Sequence, residues 1–317
     1  MGKKNVRTKK YMSRNDTFAD VCNYFLFDGK TVIKPEQLKE RDVTELGIPF
    51  SEKGSKSVEK IRDILKSCVI KSADGVMYFV IGIENQSEIH YAMVVRNMVQ
   101  DALNYAAQVE ACTEKHRKTK DIRKAEFLSG FSKTDYLVPV ITLTIFWNTG
   151  IWDGPRSLHE MLQVPDKELL RYVPDYRLNL IVPEEIEDFD KFSMELGLVL
   201  QYCSCADDKE KMRQLMKSKE EDGFYLDRES VEVLNECVNA GIKIPEVKGE
   251  KVDMCKAVEG LMAESMEAGI KKGIERGVER GKVMMLVSLV KDGTLTVQAA
   301  AGKAKLTEEE FLELMKQ

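Results

Sequence analysis

Histidine is scarce in this chain, with three in 317 residues, and the seven cysteines (22, 68, 112, 203, 205, 237 and 255) form no pair of CxxC motifs. A structural zinc site is thereby excluded, and an odd, scattered set of thiols reads as reduced cysteine rather than as a disulfide framework. Long apolar runs are also missing: none approaches the roughly 20 residues that span a bilayer. The opening Met-Gly-Lys-Lys lacks the apolar stretch of a secretory signal. The expectation is a soluble, unsecreted, cytoplasmic protein with no membrane partner.

With 43% hydrophobic and 32% charged residues, the chain can bury a sizeable core, which excludes a disordered or fibrous protein. A formal net charge of -5 argues weakly against a general binder of nucleic acid. The charge is unevenly spread, however. Residues 1–147 carry 24 Lys and Arg against 19 Asp and Glu, a balance of +5; residues 148–317 carry 24 against 34, a balance of -10. A basic half can face phosphates while an acidic half keeps the protein soluble or meets other partners. Five of the first ten residues are basic, which suits either a DNA-contacting arm or a solvated terminus.

Periodicity predicts a helix from Asn15 or Asp16, either able to cap it, through Phe18, Val21, Cys22, Phe25 and Leu26 to a stop at Asp28-Gly29. A short β-rich piece over 30–34 follows. Two strands, 60–71 and 76–84, flank a Ser-Ala-Asp-Gly turn and so predict a hairpin. The run 90–114 lacks Gly and Pro and places Val94, Met98, Ala102, Tyr105 and Val109 along one side of a long helix. The polar stretch 113–126 reads as an exposed helix end or loop, and 137–147 as a buried strand. Helix over 157–162, strand over 177–182 and mostly helix over 184–240 complete the larger part. Gly269, Gly273, Gly277 and Gly281 recur at every fourth position among charges. Each costs a helix up to about 1 kcal/mol relative to alanine, so the repeat reads as a connector or as a face that another backbone approaches. Three short helices over 283–317 could form a DNA-reading helix-turn-helix, but Glu308-Glu309-Glu310 would repel phosphates and favours a protein-contact module.

Candidate chemistry lies where the hairpin ends. The segment 76–83 is apolar on both faces, as a central covered strand requires, and then turns polar at Glu84, Asn85 and Gln86. Alternation puts Gly82, Glu84 and Gln86 on one face. A lone carboxylate there would tend to protonate, whereas a divalent cation would keep it ionised. Counting outward from the turn brings Asp63 level with residues 84–86. Two carboxylates, a main-chain carbonyl and water make a hard oxygen site of the kind Mg²⁺ accepts. From the strand alone, a buried strand that simply ends in polar residues reads equally well.

Asp63, the run Gly-Ile-Glu-Asn-Gln-Ser at 82–87 and a following long helix resemble the core of the recombination-promoting nuclease and putative transposase family, whose motif is of the PD-(D/E)XK type. Asn15-Asp16-Thr-Phe-Ala-Asp20, residues 126–131 and 152–159, and the glycine-repeat tail also resemble members of that family, so the likeness covers most of the chain. It implies an α/β fold with a restriction-endonuclease-like core, a mixed central sheet flanked by helices, and a helical C-terminal extension. The implied parts are a basic arm (1–14), the core (15–183), a helical extension (184–262), the charged glycine connector (263–282) and a small helical module (283–317). The implied activity is DNA endonuclease hydrolysis in recombination or transposition, with Asp63 and Glu84 holding Mg²⁺ or Mn²⁺ and Gln86 standing where most such nucleases carry lysine. An amide cannot supply lysine's charge, so a weak or inactive DNA- or protein-binding module, or a phage-defence effector, is the alternative. Asp16 and Asp20 are candidates for a further acid, and Asp16 equally for the helix cap. Arg96 reads either as a phosphate clamp or as half of a surface ion pair, and His90 as a polar cap or surface residue rather than a general base, with His159 a weaker candidate still. The implied partners are DNA and a second copy held through the C-terminal helices.

Overall fold

The computed structural model describes residues 3–41, 44–45, 60–61, 63–72, 75–122, 125–164, 166–221, 223–244, 249 and 251–315. The chain divides into two compact units, Met1–Cys255 and Lys256–Gln317. The first begins with helices α1 (Lys3–Met12) and α2 (Asn15–Phe27) and strands β1 (Leu38–Glu40), β2 (Thr44–Glu45), β3 (Lys60–Ile61), β4 (Ile64–Ser72) and β5 (Gly75–Gln86). It continues with α3 (Met93–Thr119), α4 (Ala125–Ser129), β6 (Val140–Phe146), α5 (Leu158–Met161) and β7 (Asn179–Ile181). Then come α6 (Glu195–Cys205), α7 (Lys209–Ser218), β8 (Tyr225–Leu226), α8 (Arg228–Val238) and β9 (Val252–Asp253). The remaining helices are α9 (Met254–Lys291), α10 (Val297–Ala304) and α11 (Glu308–Met315).

The expected α/β class is borne out by a mixed five-stranded sheet in the order β1-β4-β5-β6-β7. β1, β4 and β5 pair antiparallel, and β6 and β7 continue parallel to β5. The hairpin register runs from Ser72↔Gly75 at the turn to Ile64↔Ile83 at the far end. Central placement covers only the second half of the apolar run: Val80, Ile81 and Ile83 are buried, the two isoleucines worth roughly 1.5–3 kcal/mol each. Val76, Met77 and Tyr78 near the turn are exposed, contrary to the expectation of a strand covered throughout. Leu65, Val80 and Val140 form one cluster with Tyr105 of α3, so Leu65 and its alternates face that helix. Lys66 takes the other face, where its Nζ donates to Ser13 O at 2.6 Å and Asn15 Oδ1 at 2.5 Å and lies 5.1 Å from the Phe18 ring centroid. Burial lowers the pKa of this lysine, and the two oxygens replace the water it has lost.

Several local expectations are corrected. The basic terminus is the helix α1, with Tyr11 and Met12 buried; Arg7 pairs with Glu232 and Lys10 with Glu229, both on α8. Residues 30–34 are irregular because the Asn23 side chain, accepting from Val32 N and Ile33 N and donating to Ile33 O, replaces a strand partner. Neither Asn15 nor Asp16 is the cap of α2. That position is Arg14, and Asn15 instead donates to Pro35 O and accepts from Lys66. The stop at Asp28-Gly29 holds, with φ of 54° and 80°. A Cβ on Gly29 would also lie 2.7 Å from Lys191 O, so both its conformation and its surroundings require glycine. Residues 263–282, read as a connector or as a face that another backbone approaches, lie in the unbroken helix α9 and are exposed throughout. Within the second unit, Ala300, Ala301 and Phe311 bury a small core with Val283, Val287 and Val290 at the end of α9.

Candidate active site

The register places Asp63 one residue beyond the Ile64↔Ile83 pair, and therefore across from Glu84. Opposed residues of an antiparallel pair share a face. Asp63 is 8% exposed, and its Oδ2 accepts from Asn85 N at 2.8 Å. This bond ties the bend before β4 to β5. Glu84 is fully buried; its Oε1 accepts from Gln100 Nε2 at 3.1 Å, and Arg96 Nη2 lies 3.0 Å from its Oε2. Gln86 follows on the same face, half-buried at the last position of β5. The three residues singled out in the sequence therefore stand together at one end of the central hairpin.

Arg96 resolves its two readings unexpectedly. It forms an ion pair, but with the candidate catalytic carboxylate rather than with a surface partner. Arg96 occupies the first turn of α3, where the helix dipole disfavours a cation, and that turn has no acidic residue. Glu84 supplies the compensating charge from the strand beneath.

Reading the sequence by apolar spacing missed the rest of the environment. The face of α3 turned inward after Met93 and Val94 is polar: Asn97, Gln100, Asp101 and Asn104 are buried, whereas Ala102, expected on the inner side, is exposed. The matching face of β6 carries Thr142 and Thr144, in register with Gly82 and Glu84. Asn97 donates to Thr144 Oγ1 at 2.9 Å, and Asp101 accepts from Thr142 Oγ1 and Tyr176 Oη, both at 2.6 Å. A signal existed in the sequence: polar residues at i, i+3, i+4 and i+7 of the helix match alternate threonines of the strand. Gln100 Oε1 and Asn97 Oδ1 in this layer are buried and have no hydrogen-bond partner among the described residues.

The other candidates are engaged elsewhere. Asp16 pairs with Arg14 at 2.8 Å, which lowers its pKa, and Arg14 also holds Asp227 at 2.9 Å. Asp20 is buried and accepts from Ser193 N (2.7 Å), Ser193 Oγ (2.8 Å) and Met194 N (3.2 Å), anchoring the start of α6. Burial outweighs these bonds and raises its pKa. His90 is exposed, and His159 Nε2 lies 2.7 Å from Val173 O. Trp152 packs edge-on against Phe146, as a structural aromatic turn.

His116, unremarked in the sequence, is buried near the far end of α3 between two carboxylates. Its Nδ1 lies 2.6 Å from Asp121 Oδ1 and its Nε2 2.7 Å from Asp135 Oδ2. These bonds raise the imidazole pKa and lower that of Asp121; Asp135 is lowered first by the Ser132 N–H it accepts and then by His116.

Among the described residues no group of three or more His, Cys, Asp or Glu side chains could hold a metal ion. A cation at this site would therefore rest on the pair Asp63 and Glu84, with the remaining ligands from carbonyl oxygen and water. The orphaned Gln100 Oε1, on the amide that holds Glu84, suits such a site because it could accept from a coordinated water. Comparisons with protein-family models, curated proteins and solved structures find no match.

Proposed function

We propose that the chain is a metal-dependent DNA endonuclease of the PD-(D/E)XK type, hydrolysing phosphodiester bonds in recombination or transposition. The observation that carries this reading is that Asp63, one residue beyond the Ile64↔Ile83 pair, accepts from Asn85 N and so stands beside buried Glu84. The order helix, strands, helix, strand around a mixed sheet supports a restriction-endonuclease-like core. Asp63 and Glu84 would hold Mg²⁺ or Mn²⁺, and a cation so held supplies Lewis-acid polarisation of the scissile phosphate and a more acidic water. Gln100 fixes the orientation of Glu84 from helix α3. The Gln86 carbonyl can accept from the attacking water, and its amide can donate to a phosphate oxygen. Cutting of supercoiled plasmid with Mg²⁺, and its loss with chelator, tests the reading.

A second reading has its own support. With glutamine at 86 and Arg96 held on Glu84, the fold also suits a catalytically silent module that binds DNA or protein. Glu84→Ala separates the two: loss of cutting with unchanged DNA retention establishes the enzyme, whereas retention with no cutting in the unaltered protein supports the module.

As a further partner we propose a second copy of the chain, joined through α9. Met266, Ile270, Ile274 and Val278 are exposed at four-residue spacing, and a Cβ added at Gly269, Gly273, Gly277 or Gly281 would meet nothing within 4 Å. Residues 259–270 hold Glu259, Glu264 and Glu267 with no basic residue, whereas 271–282 hold five basic residues against two glutamates. Antiparallel self-pairing sets the acidic stretch of one copy against the basic stretch of the other.

A further inference from the structure

We propose that Arg96 is an exchangeable counter-charge of the active site. It neutralises Glu84 in the metal-free protein and moves to the DNA phosphate once a divalent cation takes Glu84 Oε2, supplying from helix α3 the positive charge that position 86 lacks. This exchange presupposes the nuclease reading and adds to it the residue that contacts phosphate and the order of events.

Three observations converge on Arg96. A carboxylate with no exposed surface cannot stay ionised without a partner, and Arg96 is a cation in contact with it. Gln100 and Arg96, both on Glu84, differ in freedom: Gln100 is 1% exposed and fixed in the helix-sheet layer, whereas the Arg96 side chain is 34% exposed and reaches solvent. Of the two, Arg96 is the one that can leave without opening the core. Its position in the first turn of α3 favours an anion beside it, because a cation there opposes the helix dipole. A phosphate satisfies that preference as well as a carboxylate does, and the guanidinium fork matches its geometry.

The exchange also accounts for Gln86. A neutral amide leaves the site short of a cation for the charge that builds on the phosphate, and a guanidinium released a few ångströms away offsets the loss. In the resting protein the same guanidinium competes with the metal for one oxygen of Glu84, so the site should take up its cation most readily when a phosphate is present to receive Arg96.

Two titrations of the full chain test this. Mn²⁺ binding is followed calorimetrically without DNA, and duplex binding is measured against salt in Ca²⁺, for the unaltered protein, Arg96→Gln and Arg96→Lys. The expected result is opposite movement in Arg96→Gln: Mn²⁺ binds several-fold tighter because its competitor is gone. Meanwhile DNA binds more weakly, with the salt slope reduced by about 0.9, the share of one phosphate contact. Arg96→Lys should fall between the two, and it carries the test if the glutamine variant does not fold. Unchanged or weaker Mn²⁺ binding with an unchanged salt slope would overturn the exchange and make Arg96 a fixed partner of Glu84. The two failures can be told apart. Absence of Mn²⁺ binding in the unaltered protein removes the metal site and the exchange together, whereas normal Mn²⁺ binding that is insensitive to Arg96 removes the exchange alone.

Discussion

Glu84 is the residue on which burial, charge and chemistry meet. Its side chain is enclosed, one oxygen is held by an amide and the other by a guanidinium, and Asp63 stands across the strand pair. Replacing Glu84 with alanine should therefore abolish cleavage while leaving DNA retention in Ca²⁺ within about two-fold, since phosphate contacts position the duplex. A parallel fall in retention, read by filter binding, would mean that the substitution damaged the fold instead. Asp20 gives the converse case. Asp20→Ala removes the acceptor for three donors at Ser193 and Met194 and should cost about 1–3 kcal/mol in a denaturant melt. The folded fraction should still cut DNA at the usual rate, and a catalytic defect there would restore Asp20 as a metal ligand.

At the scale of elements, the long helix α3 serves two places. Its N-terminal half builds the polar layer over Glu84, and its last turns carry the His116 clamp. The raised imidazole pKa sets the sign of the pH effect. The clamp's contribution is fully present below the ordinary histidine value of 6.5 and is lost as pH rises through the elevated one. The lowered carboxyl pKa values work the other way, so the contribution is complete above 3.8 and is lost as pH falls through the depressed values. Hydrogen exchange around 121–135 should therefore quicken beyond its intrinsic pH dependence as pH rises above 6.5, and His116→Gln should remove that excess. An excess that survives in the variant would place the pH sensitivity elsewhere. For α9, Gly273→Ala and Gly277→Ala should each favour the helix by up to about 1 kcal/mol, since their Cβ atoms meet nothing. The same changes should weaken self-association in sedimentation, because they close the approach to a second helix. Stronger or unchanged association would remove the glycine face as the interface.

These elements also mark what the sequence made legible. The hairpin register and the approach of Asp63 to residues 84–86 could be counted from residue 75 outward, because strand alternation is strict; Asp63 is found on Asn85 N. β7 could be read as an added strand for the same reason. The polar face of α3 could not be read from apolar spacing, which seeks the buried side among residues such as Ala102 and overlooks Asn97 and Gln100. Arg96 could be placed near the site, but its partner depends on how helix and strand cross, which no local pattern encodes. The irregular 30–34 segment does not follow the strand pattern because the side chain of Asn23, one helix turn and a loop earlier, takes the hydrogen bonds a strand would use.

Across the whole molecule, the two compact units match the unequal spread of charge only in part. Asp63, Glu84, Gln86 and Arg96 all lie in the basic stretch 1–147, whereas the first unit extends through acidic sequence to Cys255. No helix among the described residues is long and apolar enough to cross a membrane. Several of the basic residues of the stretch 1–147 are engaged inside the unit, Arg7 on Glu232, Lys10 on Glu229 and Arg14 on Asp227, so the sequence balance is not the field at the site. The most direct measurement is cleavage of supercoiled plasmid by the purified full chain with Mg²⁺ or Mn²⁺, with chelator, and with Asp63→Asn and Glu84→Gln. Shared use of one cation by these carboxylates requires nicked or linear product only with metal, and loss of that product in both variants. Plasmid left supercoiled with every divalent ion, or cut equally well by both variants, would contradict it.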